Sequence, residues 1–175
     1  LEQSLQGHDA IVTNAAGCGS HLKDHGVAGA VDVSELLAGA PAPAKRHPLP
    51  IRVAFQDSCH LKHAQRIEDE PRAALRAIPG LTLLEPADQE LCCGSAGIYN
   101  LVQPAAAGEL GDRKAGRVLA TEPEAYASAN PGCLVQVTAA LRRAGRPLPA
   151  FHPVELVDAS IRGLDAQELL ARARR

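Results

Sequence analysis

Residues 52–60, Arg-Val-Ala-Phe-Gln-Asp-Ser-Cys-His, indicate the fold class, because an apolar strand-like run ends here in a polar turn that carries a cysteine. Further strand-like runs lie at 10–13, 81–84 and 124–128, each followed by a turn-rich segment with cysteine, and a short run lies at 150–152. Helical patterns separate these runs, among them 20–25, 32–37 with Asp32 or Ser34 as the N-cap, and 101–121. The alternation predicts an α/β fold with a largely parallel sheet.

The cysteines lie among Gly, Pro, Asn and Ser, which favour turns over core positions: Cys18, Cys59, Cys92, Cys93 and Cys133. Ligands gather at the carboxyl ends of parallel strands, so we expect the last four thiols to converge at one sheet edge. The odd count and the strained ring that neighbouring cysteines would form argue against a disulfide framework. Three interpretations stay open: metal or iron–sulfur ligation, thiol redox chemistry, and buried inert thiols.

Composition excludes several function classes. The formal net charge is −2 and aromatic residues make up 2%, which argues against a nucleic-acid binder. The sequence contains no run of about 18 apolar residues, so it predicts no transmembrane helix. The sequence shows no phosphate-binding loop, dinucleotide fingerprint or Ser-His-Asp arrangement. Methionine is absent, even at position 1, so we expect the chain to be a fragment of a longer protein.

An internal repeat suggests two modules. Asn14-x-x-Gly-Cys18 resembles Asn130-Pro-Gly-Cys133, and Val33-Ser-Glu-Leu-Leu37 resembles Val154-Glu-Leu-Val157. A proline-rich stretch without periodicity lies between the two sets. We therefore divide the chain into the C-terminal part of a first cysteine-rich module (1–38), a linker (39–50), a complete second module (51–163) and a C-terminal helix (164–175).

The order Cys59, Cys92-Cys93-Gly94, Cys133 resembles the cysteine-rich CCG domain of heterodisulfide reductases and of related iron–sulfur oxidoreductase subunits. The gaps between these motifs are 32 and 39 residues. Four stretches are particularly similar to iron–sulfur subunits of glycolate oxidases: DSCH (57–60), CCGSAGIYNLVQP (92–104), ELGDRKAGRVLAT (109–121) and NPGC (130–133).

The resemblance implies a [4Fe–4S] cluster with four cysteine ligands: Cys59, Cys92, Cys93 and Cys133. A glycine-rich loop lets backbone N–H groups point at cluster sulfides, which predicts such a role for Gly94. For His60 four interpretations stay open: a hydrogen bond to the cluster, ligation, proton donation, and a side chain that points outward. Asn130 replaces the first cysteine of the family's final Cys-x-x-Cys. Four thiolates suffice for an ordinary [4Fe–4S] cluster, whereas the five-thiolate noncubane cluster of heterodisulfide reductase would lack one ligand. We expect Cys18 to ligate a second cluster, with its other ligands upstream of Leu1.

The resemblance further implies an electron-transfer subunit. An FAD-containing glycolate oxidase subunit would oxidise glycolate, and electrons would pass through this chain toward the membrane quinone pool. The expected location is the cytoplasm or the inner face of the cytoplasmic membrane. Related subunits for lactate or glycerol 3-phosphate share the cysteine pattern, so the hydroxy acid stays open. The alternative is a thiol-redox module or a zinc site, the latter built from Cys59, Cys92 or Cys93, Cys133 and His60.

Three further expectations concern polar residues near the motifs. We expect Asp57 and Asn130 to cap loops. We expect Asp112, Arg113 and Lys114 to form a solvated charged face on a long helix.

Overall fold

In the computed structural model, strands and helices alternate along residues 5, 7–40 and 44–173, the part of the chain that the structure describes. Strands occupy Ile11–Thr13 (β1), Ala30–Asp32 (β2), Arg52–Phe55 (β3), Thr82–Leu84 (β4), Ala125–Ala127 (β5) and Ala150–Phe151 (β6). Helices occupy Ala16–Asp24 (α1), Val33–Ala38 (α2), Asp69–Arg76 (α3), Tyr99–Val102 (α4), Pro104–Ala120 (α5), Pro131–Arg143 (α6), Pro153–Arg162 (α7) and Ala166–Ala173 (α8). A π-helical turn covers His60–Ala64.

The strands form two parallel sheets. The larger sheet has the order β4-β3-β5-β6, and each of its pairings is parallel. β1 and β2 pair in a second, two-stranded parallel sheet. The predicted α/β class with parallel strands is therefore confirmed.

The core lies on both faces of the larger sheet. Successive side chains of a strand point to opposite faces, and β3 shows this clearly. Val53 and Phe55 pack in a cluster with residues of α3, α7 and α8, whereas Ala54 packs with Tyr126 of β5 and Val137 of α6. Because helices cover both faces, the carboxyl edge of the sheet is where the loops after the strands can form a site.

The same order of elements occurs twice. β1-α1-β2-α2 matches β5-α6-β6-α7, and the second helix of each set begins with a capping box. In these boxes Asp32 pairs with Glu35, and His152 pairs with Glu155. This order supports the proposed repeat, while the division of the chain into modules remains a prediction.

Several local predictions differ from the structure. The helix expected near 20–25 begins at Ala16, so Cys18 lies inside a helix and not in a loop. The helical region expected over 101–121 is broken at Gln103, because Pro104 starts α5 at a position where its missing N–H is harmless. β2 was not predicted. Asp32, and not Ser34, is the N-cap of α2.

The predicted linker 39–50 contains a residue of the core. Leu49 is fully buried, and its N–H donates to the carbonyl of Pro79 at 2.8 Å. Pro41 and Pro43 of that segment lie outside the described residues, as do the ends of the first and last predicted segments, at 1–4 and 174–175. None of the helices that the structure describes is long and apolar enough to cross a bilayer.

Candidate metal centre

A cavity of ≈ 440 Å³ opens at the carboxyl edge of the larger sheet. All five cysteines line it, together with His60 and the glycine-rich segment 95–97. The thiols arrive on separate segments: after β3 (Cys59), after β4 (Cys92 and Cys93), in α6 (Cys133) and in α1 (Cys18). The structure thus brings the predicted ligand residues to one place, and their roles as ligands remain a prediction.

An ion-pair network holds the segment that leads to Cys59. The carboxylate of Asp57 accepts two hydrogen bonds from Arg72, at 2.8 and 3.0 Å, and Arg72 also donates to Glu85. Both Asp57 and Arg72 are buried, and the guanidinium lies 5.1 Å from the centre of the Phe55 ring. Asp57 therefore fixes the loop through an ion pair with α3 rather than as a loop cap.

Gln89 joins the end of β3 to the segment that precedes the vicinal cysteines. Its side-chain oxygen accepts from the N–H of Asp57 at 2.9 Å, and its amide donates to the carbonyl of Phe55 at 2.9 Å. These bonds replace the ladder that a neighbouring strand would supply. They hold together the two segments that bring Cys59 and Cys92 to the cavity.

The expectation that Lys114 belongs to a solvated charged face is wrong. Its side chain is not solvated, because only 1% of the residue is exposed. The ammonium donates to the carbonyls of Asp88 and Gln89. Burial lowers the pKa of Lys114, although nearby acidic groups, with Glu90 the foremost, oppose this effect. Lys114 therefore ties the loop before Cys92 to helix α5.

The turn at Gly94 places backbone donors at the thiols. Gly94 has φ of 91°, and its N–H donates to the sulfur of Cys92 at 3.3 Å. A Cβ at this position would lie 2.5 Å from the carbonyl oxygen of Ala107 in α5. The N–H of Gly94 therefore faces a cysteine sulfur, and its role toward a cluster stays a prediction.

Cys133 occupies the third position of α6, behind Pro131 and Gly132. Its sulfur lies 3.2 Å from the sulfur of Cys93, and the amide of Asn130 donates to it at 3.4 Å. Asn130 is the N-cap residue of α6, but its side chain makes no cap hydrogen bond. The expectation that Asn130 caps this turn by its side chain is therefore wrong.

Cys18 occupies the third position of α1, again behind a glycine, Gly17. Hydrogen bonds join this helix to the other half of the chain: Ala16 donates to the carbonyl of Ala129 at 3.3 Å and accepts from the side chain of Gln65 at 2.8 Å. The exposed thiol of Cys18 therefore lines the same cavity as the four other thiols. His60 also borders it, with Nδ1 3.6 Å from the sulfur of Cys59.

The pKa values of the Cys59, Cys92, Cys93 and Cys133 thiols are shifted by the contacts of these thiols with one another. Hydrogen bonding with Cys59 and Cys93 lowers the pKa of Cys92, and the same interaction raises the pKa of Cys59. The thiol of Cys93 likewise donates to Cys133, which raises the pKa of Cys93 and lowers that of Cys133. Repulsion between neighbouring thiolates keeps the four from ionising together. A cationic group in the cavity would remove this barrier.

The donor set fits an iron–sulfur cluster in its chemistry. Thiolates are the ligands of such clusters, and backbone donors to sulfur are a feature of their surroundings. The described residues contain no group of three or more His, Cys, Asp or Glu side chains arranged to hold a single metal ion.

Sequence reasoning found the thiols but missed Arg72, Gln89 and Lys114, which position them. Arg72 and its partner Asp57 are 15 residues apart, and Lys114 binds carbonyls 25 and 26 residues before it. The available signal was the spacing of Lys114, which shares one helical face with three uncharged residues: Gly111, Ala115 and Val118.

Comparison with known proteins agrees with this chemistry. Residues 53–138 match the CCG family, described as a cysteine-rich domain. The chain is 36% identical over 162 residues to a subunit of the fumarate reductase (CoM/CoB) of Methanothermobacter marburgensis, an alignment that covers 89% of this chain and 33% of the relative. It is 36% identical over 155 residues to a probable glycolate oxidase iron-sulfur subunit of Bacillus subtilis, with coverages of 78% and 35%.

A third relative is the glycolate oxidase iron-sulfur subunit of Escherichia coli, which is 32% identical over 171 residues. That alignment covers 89% of this chain and 40% of the relative. The chain thus spans between a third and two fifths of the length of these three relatives.

Proposed function

We propose that the chain, whose residues 53–138 form a cysteine-rich domain of the CCG family, serves as an iron–sulfur electron-transfer subunit of a glycolate (2-hydroxy acid) oxidase or dehydrogenase. The observation that carries the proposal is that four thiols meet at one cavity: Cys59, Cys92, Cys93 and Cys133. Two relatives named as iron-sulfur subunits of glycolate oxidase support it.

In this proposal the four thiolates ligate a [4Fe–4S] cluster, which supplies one-electron oxidation and reduction when bound. The N–H of Gly94 hydrogen-bonds a ligand sulfur, and Cys133 lies in the first turn of α6, where the helix dipole favours negative charge. His60 contacts the sulfur of Cys59 at the same cavity, with Nδ1 at 3.6 Å. Cys18 is proposed as a ligand of a second cluster, adjacent to the first because its helix lines the same cavity.

The hydroxy-acid chemistry is assigned to a partner subunit that contains FAD. Oxidation of glycolate to glyoxylate releases two electrons and two protons, and the flavin accepts both electrons. This chain would carry them one at a time toward a membrane quinone, which takes up two electrons and two protons to give the quinol. The proposed location is the cytoplasm or the inner face of the cytoplasmic membrane. The cavity supports an electron-transfer role for this chain, since all five cysteines line it.

Anaerobic reconstitution tests the proposal. The chain is incubated with iron and sulfide, analysed for bound iron, and reduced with dithionite for EPR spectroscopy. We expect about four iron atoms per chain and the signal of a reduced cluster. Cys93→Ser removes a sulfur that is only 2% exposed and should lower the iron content severalfold.

Cys18→Ser is the matched control, because the exposed thiol of Cys18 is not among the four proposed ligands. It should bind as much iron as the unmodified chain, because a single cysteine does not hold a second cluster by itself. If the unmodified chain binds stoichiometric zinc in place of iron, or binds neither metal, the proposal is wrong. Equal iron loss in both variants would assign Cys18 to the same cluster and overturn its proposed separate role.

A thiol-redox module is the second candidate, favoured by the contact between the sulfurs of Cys93 and Cys133 at 3.2 Å. Oxidation would join these sulfurs in a disulfide and release two protons and two electrons to an acceptor such as an oxidised flavin. An iron-free chain that loses two titratable thiols on oxidation, and regains them with a dithiol reductant, would favour this function.

A further inference from the structure

Asn130 does not use its side chain in the way its position predicts. Asparagine is among the preferred N-cap residues, because its side-chain oxygen accepts a hydrogen bond from the first turn of the helix. Asn130 has the extended backbone of an N-cap, with φ −147° and ψ 122°, but it makes no side-chain cap bond. Its amide Nδ2 instead donates to the sulfur of Cys133 at 3.4 Å.

The related helices of the chain show that this arrangement is specific. The N-cap side chains of Asp32 and His152 both accept hydrogen bonds from the helices that they begin. The helix α1, whose third residue is Cys18, has Ala15 as its N-cap and therefore has no side-chain donor there. Only Cys133, of the two cysteines at the third position of a helix, receives such a bond from the N-cap in the part of the chain that the structure describes.

The amide lies in a narrow space beside the sulfur. A Cβ on Gly132 would lie 2.8 Å from the hydroxyl of Ser95 and in ordinary contact with Nδ2 of Asn130, at 3.5 Å, so a larger residue at 132 would crowd this site. Cys133 is 2% exposed and packs against Tyr126 and Val137. A hydrogen bond to a charged atom is stronger in such apolar surroundings than in water.

We propose that Asn130 is a positioning residue that raises the reduction potential of the group held by Cys133, through the hydrogen bond from its amide to the ligand sulfur. This inference rests on the proposed iron–sulfur function. Reduction adds negative charge that is partly carried by the ligand sulfurs, and a donor to sulfur stabilises the reduced state more than the oxidised one. Asn130 thus supplies a neutral donor where the related family has an additional cysteine. The thiolate of that cysteine would lower the reduction potential.

Potentiometric titration of the reconstituted chain, followed by EPR, tests the inference. Asn130→Ala removes the donor, and Asn130→Asp puts an oxygen in place of the donating amide at nearly equal size. Both should bind as much iron as the unmodified chain. Asn130→Ala should shift the equilibrium for reduction about tenfold toward the oxidised state, which corresponds to about 59 mV for one electron. Asn130→Asp should shift it at least as far.

Gln136→Ala is the matched control. Gln136 lies on the same helix, and its amide donates to the carbonyl of Ala107 at 2.9 Å rather than to a sulfur. Its removal should leave the potential unchanged. Unchanged potentials in both Asn130 variants, with normal iron content, would overturn the inference and leave the iron–sulfur function intact. Absence of iron from the unmodified chain would instead overturn the function itself.

Discussion

Gly94 is the position where a single methyl group should damage the centre most. Its φ of 91° lies outside the conformations that residues with a side chain adopt easily. The added Cβ of Gly94→Ala would also lie 2.5 Å from the carbonyl oxygen and 3.0 Å from the Cα of Ala107, both backbone atoms of α5. Because a helix backbone cannot rotate away as a side chain can, the loop itself must move.

The expected cost follows from these two effects. Backbone strain of this kind costs about 1–3 kcal/mol, and overpacking against a rigid neighbour costs about as much. Partial relaxation makes the two effects less than additive, so we expect Gly94→Ala to lower the free energy of unfolding by about 3 kcal/mol. Movement of the loop also displaces the N–H that donates to Cys92, so the iron content after reconstitution should fall severalfold.

Gly97→Ala is the matched control, since Gly97 also has a positive φ, 53°, but has open space around its Cβ position. It should cost about 1 kcal/mol. Urea unfolding of the metal-free chain measures both values, and iron analysis of the reconstituted samples measures the effect on the site. The steric argument is refuted if the two variants differ by less than about 1 kcal/mol and bind equal amounts of iron.

Two further predictions concern buried charges. Arg72→Met removes the bidentate partner of the buried Asp57 carboxylate, leaves only the Lys62 ammonium at 3.5 Å, and should lower the free energy of unfolding by about 3 kcal/mol in urea; a cost below about 1 kcal/mol would contradict the role given to this ion pair. Burial lowers the pKa of His152 below 6.5, so the unfolded chain takes up a proton more readily and stability should decline as the pH falls below 6.5. His152→Asn keeps an acceptor for the N–H of Val154 and should reduce that slope, which is at most about 1.4 kcal/mol per pH unit for one proton; equal slopes in urea titrations would contradict this assignment.

The sequence was informative where local signals and tertiary structure agree. β3 and β5 are short apolar runs followed by turn residues, and both are buried strands. The convergence of their cysteines followed from the parallel sheet alone, because carboxyl ends of parallel strands share one edge. Predicting the edge required no knowledge of side-chain contacts.

Tertiary contacts decided the features that the sequence did not predict, namely the helix around Cys18 and the burial of Lys114. Gly17 and Gly19 gave the segment around Cys18 the composition of a turn, yet it is helical. A Cβ on Gly19 would lie 2.6 Å from the hydroxyl of Thr13, so glycine is there for close packing and not for a loop conformation. Lys114 looked solvated because charge predicts exposure, and its burial is made possible by the distant carbonyls of Asp88 and Gln89 together with nearby acidic groups.

The structural unit that holds the centre is larger than the family match. That match ends at residue 138, whereas β6 and α7 lie beyond it and supply Phe151 and Leu156 to the core. α1 lies before it, and Ala16 packs with Leu61 of the π-helical turn that follows Cys59. Since α1 packs on this turn, the position of Cys59 depends on residues far from it in the sequence. α1 and the segments that carry the four other cysteines line one cavity, so changes in α1 should alter that cavity even where they touch no proposed ligand.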